Sequence, residues 1–355
     1  MHLRGHPPER LAERLPGLGL PPRLWRRVVA RLVHGDAEGI DGIPGLSRAH
    51  AAALEQHTRR ERLAVADRRL SPVDGFAKYL FRAADGALFE AVRIPLERPR
   101  WSVCISSQVG CGLLCDFCET GRLGFTRHLE AWEMVEQVLT VRREAPQRPV
   151  TGVVFQGQGE PLQNYDHVME AAGLLRHPCG GRIRGDRITI STVGLPAAIA
   201  RFTDEGHPYR LILSLTSALD ETRARVVPSA RAHSVAELAA VMRRHSARRG
   251  GPVHLGWVLM AGVNTAPEEA RALARLFAGV PVRISVIDVN DPEGRYRRAD
   301  EAERDRFLSA LAEHRLPFVR RYSGGPDIDA ACGMLAARAR GGVGLDQEKL
   351  QSREV

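Results

Sequence analysis

Short apolar runs alternate with amphipathic helical patterns from about residue 101 onward, and this alternation constrains the fold more than any other feature of the chain. The runs fall at 103–106, 153–156, 188–191, 211–215, 253–259 and 284–289. Patterns of period 3.6 lie between most of them, at 131–143, 164–176, 196–204, 235–245 and 267–277. A run that is apolar on both faces and leads into a helix is a strand of a parallel sheet, because crossover helices cover the sheet faces. The expected class is therefore α/β. Six strands are too few to close an eight-stranded barrel, so residues 101–338 are expected to form an open, partial (βα)6 barrel. Its chemistry should sit at the carboxyl ends of the strands.

Residues 1–70 read as a small, basic, helical accessory domain. Leu24, Val28 and Leu32 form one apolar stripe with Arg23, Arg26, Arg27 and Arg31 around it, and Ser47 is suited to cap a further helix. Residues 71–100 read as short strands with a hairpin turn at Asp85-Gly86. Residues 339–355 read as a polar tail.

A length of 355 residues suggests about two folding units at roughly 150 residues each. At 44% hydrophobic and 26% charged, the chain is globular rather than disordered or fibrous. No apolar stretch approaches the roughly 18 residues that span a membrane, and the amino end carries no apolar export signal. The expected setting is the cytoplasm, with no membrane partner. The formal charge is +9, and of 51 basic residues only Lys78 and Lys349 are lysines. A net positive chain favours a polyanionic partner through counterion release.

Of the six cysteines, Cys111, Cys115 and Cys118 share one loop just after the first core strand. In a reducing compartment such bunching means ligation rather than disulfides. Two ligations fit. A structural zinc ion would take His128 as the nearest fourth ligand, whereas an iron–sulfur cluster held by three thiolates would keep one iron open to a small molecule. The loop's position at the carboxyl end of a strand favours the cluster. Ser191 and Ser214 end the third and fourth core strands, where hydroxyls can meet polar groups of a cofactor. Cys179 matches no motif and reads as structural.

The run from Cys104 to Phe125, Cys-Ile-Ser-Ser-Gln-Val-Gly-Cys-Gly-Leu-Leu-Cys-Asp-Phe-Cys-Glu-Thr-Gly-Arg-Leu-Gly-Phe, resembles from end to end the cluster segment of one known family. That family is the radical S-adenosylmethionine (SAM) RNA adenine methyltransferases of the RlmN/Cfr type. Further similar segments follow in order: Gly157-Gln-Gly-Glu-Pro161, Ile190-Ser-Thr-Val-Gly194, Ser214-Leu-Thr216 and Asp327-Ile-Asp-Ala-Ala-Cys-Gly-Met-Leu335. The similarity spans about residues 20 to 338.

The resemblance implies one [4Fe–4S] cluster held by Cys111, Cys115 and Cys118. It implies SAM bound by Gly159, Glu160, Ser191, Ser214, Leu215, Thr216 and Asn290. Cys332 is then the methyl carrier, Cys104 the resolving cysteine, and Glu90, in the segment 87–95, the proton acceptor. By the same resemblance Cys332 takes a methyl group from one SAM, and a radical from a second SAM activates that methyl group to add to adenine carbon 2 or 8. A transient Cys104–Cys332 disulfide then frees the product. The implied partners are RNA, ribosomal before transfer, and an electron donor of the flavodoxin or ferredoxin type, acting on a monomer.

Four positions depart from the family pattern. Thr216 stands where a histidine is usual, Gln158 for a methionine, Val193 for a serine, and Val289-Asn290-Asp291-Pro292 for a Trp-Asn-Pro segment. Two other readings remain open on the sequence: a radical SAM enzyme of another reaction type with a non-RNA substrate, and a metal-stabilised RNA-binding module without catalysis.

Overall fold

A computed structural model describes residues 1–337. Prolines open the first two helices, where a missing backbone N–H leaves nothing unsatisfied: α1 (Pro8–Arg14) and α2 (Pro22–Val29). Leu24, Val28 and Leu32 are buried as the stripe requires. Ser47 caps α3 (Arg48–His57), its side chain accepting from His50 N at 3.1 Å. The helical part ends there. β1 (Ala64–Leu70) lies within the stretch expected to be helical. It is an edge strand exposed along most of its length, so it lacks the buried alternation that marks a strand in sequence.

β2 (Ala77–Arg82) and β3 (Leu88–Pro95) form the expected hairpin, with Gly86 at φ +84° in its turn. β4 (Trp101–Ile105) begins the core, and a short ribbon follows, β5 (Gln108–Gly110), α4 (Glu119–Arg122) and β6 (Phe125–His128). The βα units then run in sequence: α5 (Ala131–Glu144), β7 (Val150–Phe155), α6 (Tyr165–Arg176), β8 (Ile188–Thr192), α7 (Pro196–Asp204), β9 (Arg210–Ser214), α8 (Asp220–Val226), α9 (Val235–Arg249), β10 (Val253–Leu259), α10 (Pro267–Leu276), β11 (Val282–Asp288), α11 (Glu301–Glu313) and β12 (Phe318–Arg320).

The sheet order is β1-β2-β3-β4-β7-β8-β9-β10-β11-β12. The six strands expected from the apolar runs, β4, β7, β8, β9, β10 and β11, are consecutive and parallel. β1 to β3 extend them as an antiparallel edge, and β12 adds a further parallel strand at the other end. Two edges remain, so the sheet is open as expected, though wider than six strands.

The amino-terminal helices share the main hydrophobic core instead of forming a separate one. An ionic network also fastens them to α5. Arg4, fully buried, reaches Glu136 at 3.2 Å and Asp36 at 2.9 Å, while Arg143 reaches Asp36 at 2.7 Å and Glu136 at 3.0 Å. Each buried charge has an opposite partner, which a buried charge requires. No helix among the described residues is long and apolar enough to cross a membrane. The expected polar tail, 339–355, lies outside the described residues.

Candidate active site

A cavity of about 750 Å³ occupies the lumen of the open barrel. Cys111, Cys115 and Cys118 line it at the carboxyl ends of the strands, together with Cys104 and Cys332. Gly159, Glu160, Ser191, Ser214, Thr216 and Asn290 also face it. Of the residues singled out in the sequence, Leu215 is buried in the core and Glu90 is not part of the lining.

The cysteine loop is closed at its base by the β5–β6 ribbon. Cys111 N donates to Gly124 O at 2.7 Å, and a Cβ at Gly110 would fall 1.9 Å from that same oxygen, so only glycine permits the approach. The loop packs in a small apolar cluster with Val226, Val227, Met260 and Val289. Burial raises all three thiols, Cys111 to about 12, and neighbouring cysteines raise Cys111 and Cys115 further. Such groups become thiolates only against compensating positive charge, as a metal supplies. Arg223 is the buried cation beside Cys115. It is 1% exposed, donates to Leu215 O at 3.1 Å and Val193 O at 2.5 Å, and is pulled down to about 10 by burial. Among the described residues no three His, Cys, Asp or Glu side chains converge as ligands of a single ion would. Three thiols lining one cavity are a donor set that an iron–sulfur cluster takes on separate irons. His128, the candidate zinc ligand, sits on β6 outside the cavity lining, against Gln108.

The loop after β7 carries Gly159 at φ +97°, where a Cβ would lie 2.5 Å from the Gln108 side chain. Gln108 in turn accepts from Glu160 N at 2.9 Å. This packing aims Glu160 into the barrel: its carboxylate accepts from Leu162 N at 2.9 Å and from Val193 N at 2.8 Å. Burial pushes its pKa up to about 7 despite those bonds. A buried carboxylate with two donors and further lone pairs can receive an ammonium group. Ser191 and Ser214 stand together, Oγ to Oγ 3.1 Å, on neighbouring strand ends. Thr216 adopts φ +65°, and its carbonyl accepts from Asn264 Nδ2 at 2.6 Å.

These bonds explain three of the four departures from the family pattern. Val193 acts through its N–H and C=O, and Thr216 through its carbonyl, so their side chains were free to change. Gln158 accepts from Glu90 N at 3.1 Å and thereby ties the β7 loop to β3. The fourth is occupied by Asp291, which accepts from Arg122 at 3.3 Å and Tyr296 N at 3.1 Å.

Cys332 lies in a segment laced to three parts of the molecule. Its N–H donates to Ser323 Oγ at 2.8 Å, and its carbonyl accepts from Asn290 Nδ2 at 3.3 Å. Gly333 O accepts from Glu119 N, and Leu335 O from Thr120 Oγ1, both at 2.7 Å, so the cysteine loop and this segment are joined directly. Ala337 N donates to Glu90 Oε2 at 2.9 Å. Cys332 is exposed to the cavity and Cys104 half-buried, both as free thiols. Cys104 is raised by burial and by Cys332, and Cys332 by burial. Glu90, expected at the reacting centre, is instead 2% exposed behind this segment, paired with Lys78 at 3.0 Å.

Arg223, Asn264 and Ser323 were not anticipated from the sequence. Each acts mainly on backbone groups, which every residue carries, so no side-chain pattern announces it. Cys179 lies outside the cavity lining, packed against the core.

The Radical SAM superfamily pattern matches residues 105–277. A probable RNA methyltransferase of Myxococcus xanthus is 43% identical over 97% of this chain and 96% of its own length. A probable dual-specificity RNA methyltransferase RlmN of Heliobacterium modesticaldum is 38% identical over 96% of this chain and 90% of its own. Among solved structures, a radical SAM methyltransferase from Sphaerobacter thermophilus superposes with a TM-score of 0.88 at 34% identity, covering 95% of this chain and all of that one. Relatives of this closeness over nearly the full length establish that the chain belongs to the RlmN-type RNA methyltransferases of the radical SAM superfamily.

Proposed function

We propose that the protein methylates a carbon of adenine in RNA, position 2 or 8, with Cys332 as the methyl carrier. The observation that supports this most is that two free thiols, Cys104 and Cys332, share a cavity with the Cys111–Cys118 loop. A radical SAM enzyme of another reaction type would have no use for that second pair. RNA as substrate is supported by the names of the relatives and by the net charge of +9. Ribosomal RNA is the first target and transfer RNA the second.

Cys111, Cys115 and Cys118 would hold the cluster, with Arg223 offsetting part of the thiolate charge. When bound, the cluster and SAM supply a methyl group and, after one-electron cleavage of a carbon–sulfur bond, a primary carbon radical. Glu160 receives the SAM ammonium, the Ser191–Ser214 pair its hydroxyl or carboxylate groups, and Thr216 and Asn290 complete the site. Gly159 allows the close approach, and Leu215 supports it from the core.

Cys332 Sγ forms a bond to the methyl carbon as the sulfonium bond breaks, and the thiol proton leaves. Once the methyl carbon has lost a hydrogen atom and joined adenine, the base is tethered through S–CH2, and the unpaired electron that the addition leaves on the ring would return to the bound cluster. Glu90 is the group to take the ring proton, once its bond from Ala337 N is given up. Cys104 then attacks Cys332 Sγ: the S–S bond forms, the S–C bond breaks, and its electron pair goes to the carbon, which takes a proton. The cell's thiol reductants reopen the disulfide. A flavodoxin- or ferredoxin-type donor supplies electrons to a monomer in the cytoplasm.

Mass spectrometry of nucleosides from total RNA tests the reading: a strain lacking the gene should lose a C-methyladenosine that its parent contains. Identical profiles would overturn it. Glu160→Gln removes the charge that faces the ammonium and should weaken SAM binding by about 10- to 100-fold, the worth of one hydrogen bond to a charged group. Equilibrium dialysis on reconstituted protein measures this, and unchanged affinity would remove Glu160 from the SAM site.

A further inference from the structure

The barrel lumen has a second end that this chemistry does not use. Arg100, Arg187 and Arg210 line it where β4, β8 and β9 begin, and Arg321, just after β12, lines the lumen between them and Cys332, acting on both Arg210 and Cys332. Arg283 on β11 belongs to the same group electrostatically. Burial lowers Arg210 below the usual guanidinium range, and Arg321, Arg187 and Arg283 lower it further. His254, register partner of Arg283, is pushed down to about 4 by burial and then by Arg210, Arg283 and Arg321.

The side chains of Arg187, Arg210, Arg283 and Arg321 have neither ion pair nor hydrogen bond among the described residues. Asp186, the acidic neighbour of Arg210, is held by Arg184 through two 3.0 Å bonds. Besides Glu160, the carboxylates lining the cavity are Glu97, which is exposed, and Asp288, which is taken by Arg320 at 3.4 Å. Arg100 Nε and Thr151 Oγ1, at the same end, are buried without a partner. By contrast Arg4, Arg122, Arg127 and Arg143 are paired with carboxylates, and the buried Arg223 is bonded to two carbonyls. A concave cluster of like charges raises the folded state's energy and concentrates anions.

We propose that this mouth is a phosphate-binding subsite for the RNA backbone. The phosphates rest on Arg187, Arg210, Arg283 and Arg321, and the target base points up the lumen toward Cys332. Four residues separate Arg210 from Ser214 along β9, about 13 Å at a strand's rise, a span suited to one nucleotide lying base inward. The subsite rests on RNA being the substrate, and it adds where the chain enters and what holds it.

The test uses reconstituted holoenzyme, an Arg187→Gln/Arg210→Gln variant, and RNA extracted from a strain lacking the gene. RNA affinity at about 0.15 M salt should fall about 10- to 100-fold, uniformly across sequences. The slope of log affinity against log salt should flatten by about 0.7 for each single-strand phosphate that is no longer neutralised. Arg210→Lys in the parent, which keeps the charge, should leave the slope unchanged. Thermal unfolding should stay level or rise, since repulsion is relieved, and methylation of Cys332 by SAM without RNA should continue. Unchanged affinity and slope would overturn the subsite. So would an affinity loss accompanied by a falling unfolding temperature and an unmethylated Cys332, which would assign these arginines to folding. If the parent binds RNA with the expected arginine and salt dependence yet transfers no methyl group, the subsite stands and the methylation reading falls.

Discussion

A Cys332→Ala enzyme is expected to retain its iron, bind SAM and transfer no methyl group to RNA. The substitution is structurally mild. The residue is held by its backbone, through Ser323 Oγ and Asn290 Nδ2, and alanine keeps both bonds. Its side chain faces the cavity, so no core atom loses a neighbour and stability should change by less than about 0.5 kcal/mol. What is lost is the atom to which the methyl group must bond, and removing a covalent nucleophile costs on the order of 10⁴-fold or more in rate. The measurements are iron content, SAM binding and methyl transfer on the same preparation. Surviving transfer would end the carrier role.

Cys104→Ala should instead stall the reaction after the carbon–carbon bond has formed. The expected product is a covalent protein–RNA adduct through Cys332, seen as a shifted band in denaturing gels. Nuclease digestion should leave a nucleotide mass on the peptide containing Cys332. Cys104 lies on β4 between Val92 of β3 and Val154 of β7, so replacing its sulfur with hydrogen leaves a small void worth about 1 kcal/mol, and the sheet should survive. The two variants therefore fail at opposite ends of one sequence, the first before any bond to RNA and the second with RNA attached. Multiple clean turnovers by Cys104→Ala would count against a resolving thiol.

The six core strands were legible because each is a short, largely apolar run set between helical patterns, even though the lumen faces of β8 and β11 carry polar residues such as Thr189, Ser191, Arg283 and Ser285. β1 was not, because an exposed edge strand gains its stability from pairing with β2, and its sequence, Ala-Val-Ala-Asp-Arg-Arg-Leu, carries no buried alternation. β12, at three residues, is too short to leave a pattern. That Cys111, Cys115 and Cys118 lie together was legible from spacing, and the family resemblance singled out residues of which most line the same cavity. The partners of those positions were not legible. Lys78 and Glu90 meet as diagonal neighbours across β2 and β3, a relation set by register rather than by separation in the chain. The surroundings of Glu90 were equally hidden: the carboxylate was visible in the sequence, but the segment bonded to it comes from 247 residues away. Arg223 left no trace because its acceptors are carbonyls, and every residue has one.

The two 2.7 Å bonds that join Glu119 and Thr120 to Gly333 and Leu335 fasten the Cys332 segment to the loop of Cys111, Cys115 and Cys118. The two pieces therefore cannot shift independently. A change that displaces the cysteine loop drags the backbone around Gly333 with it, so damage at one can be felt at the other without any cysteine being altered.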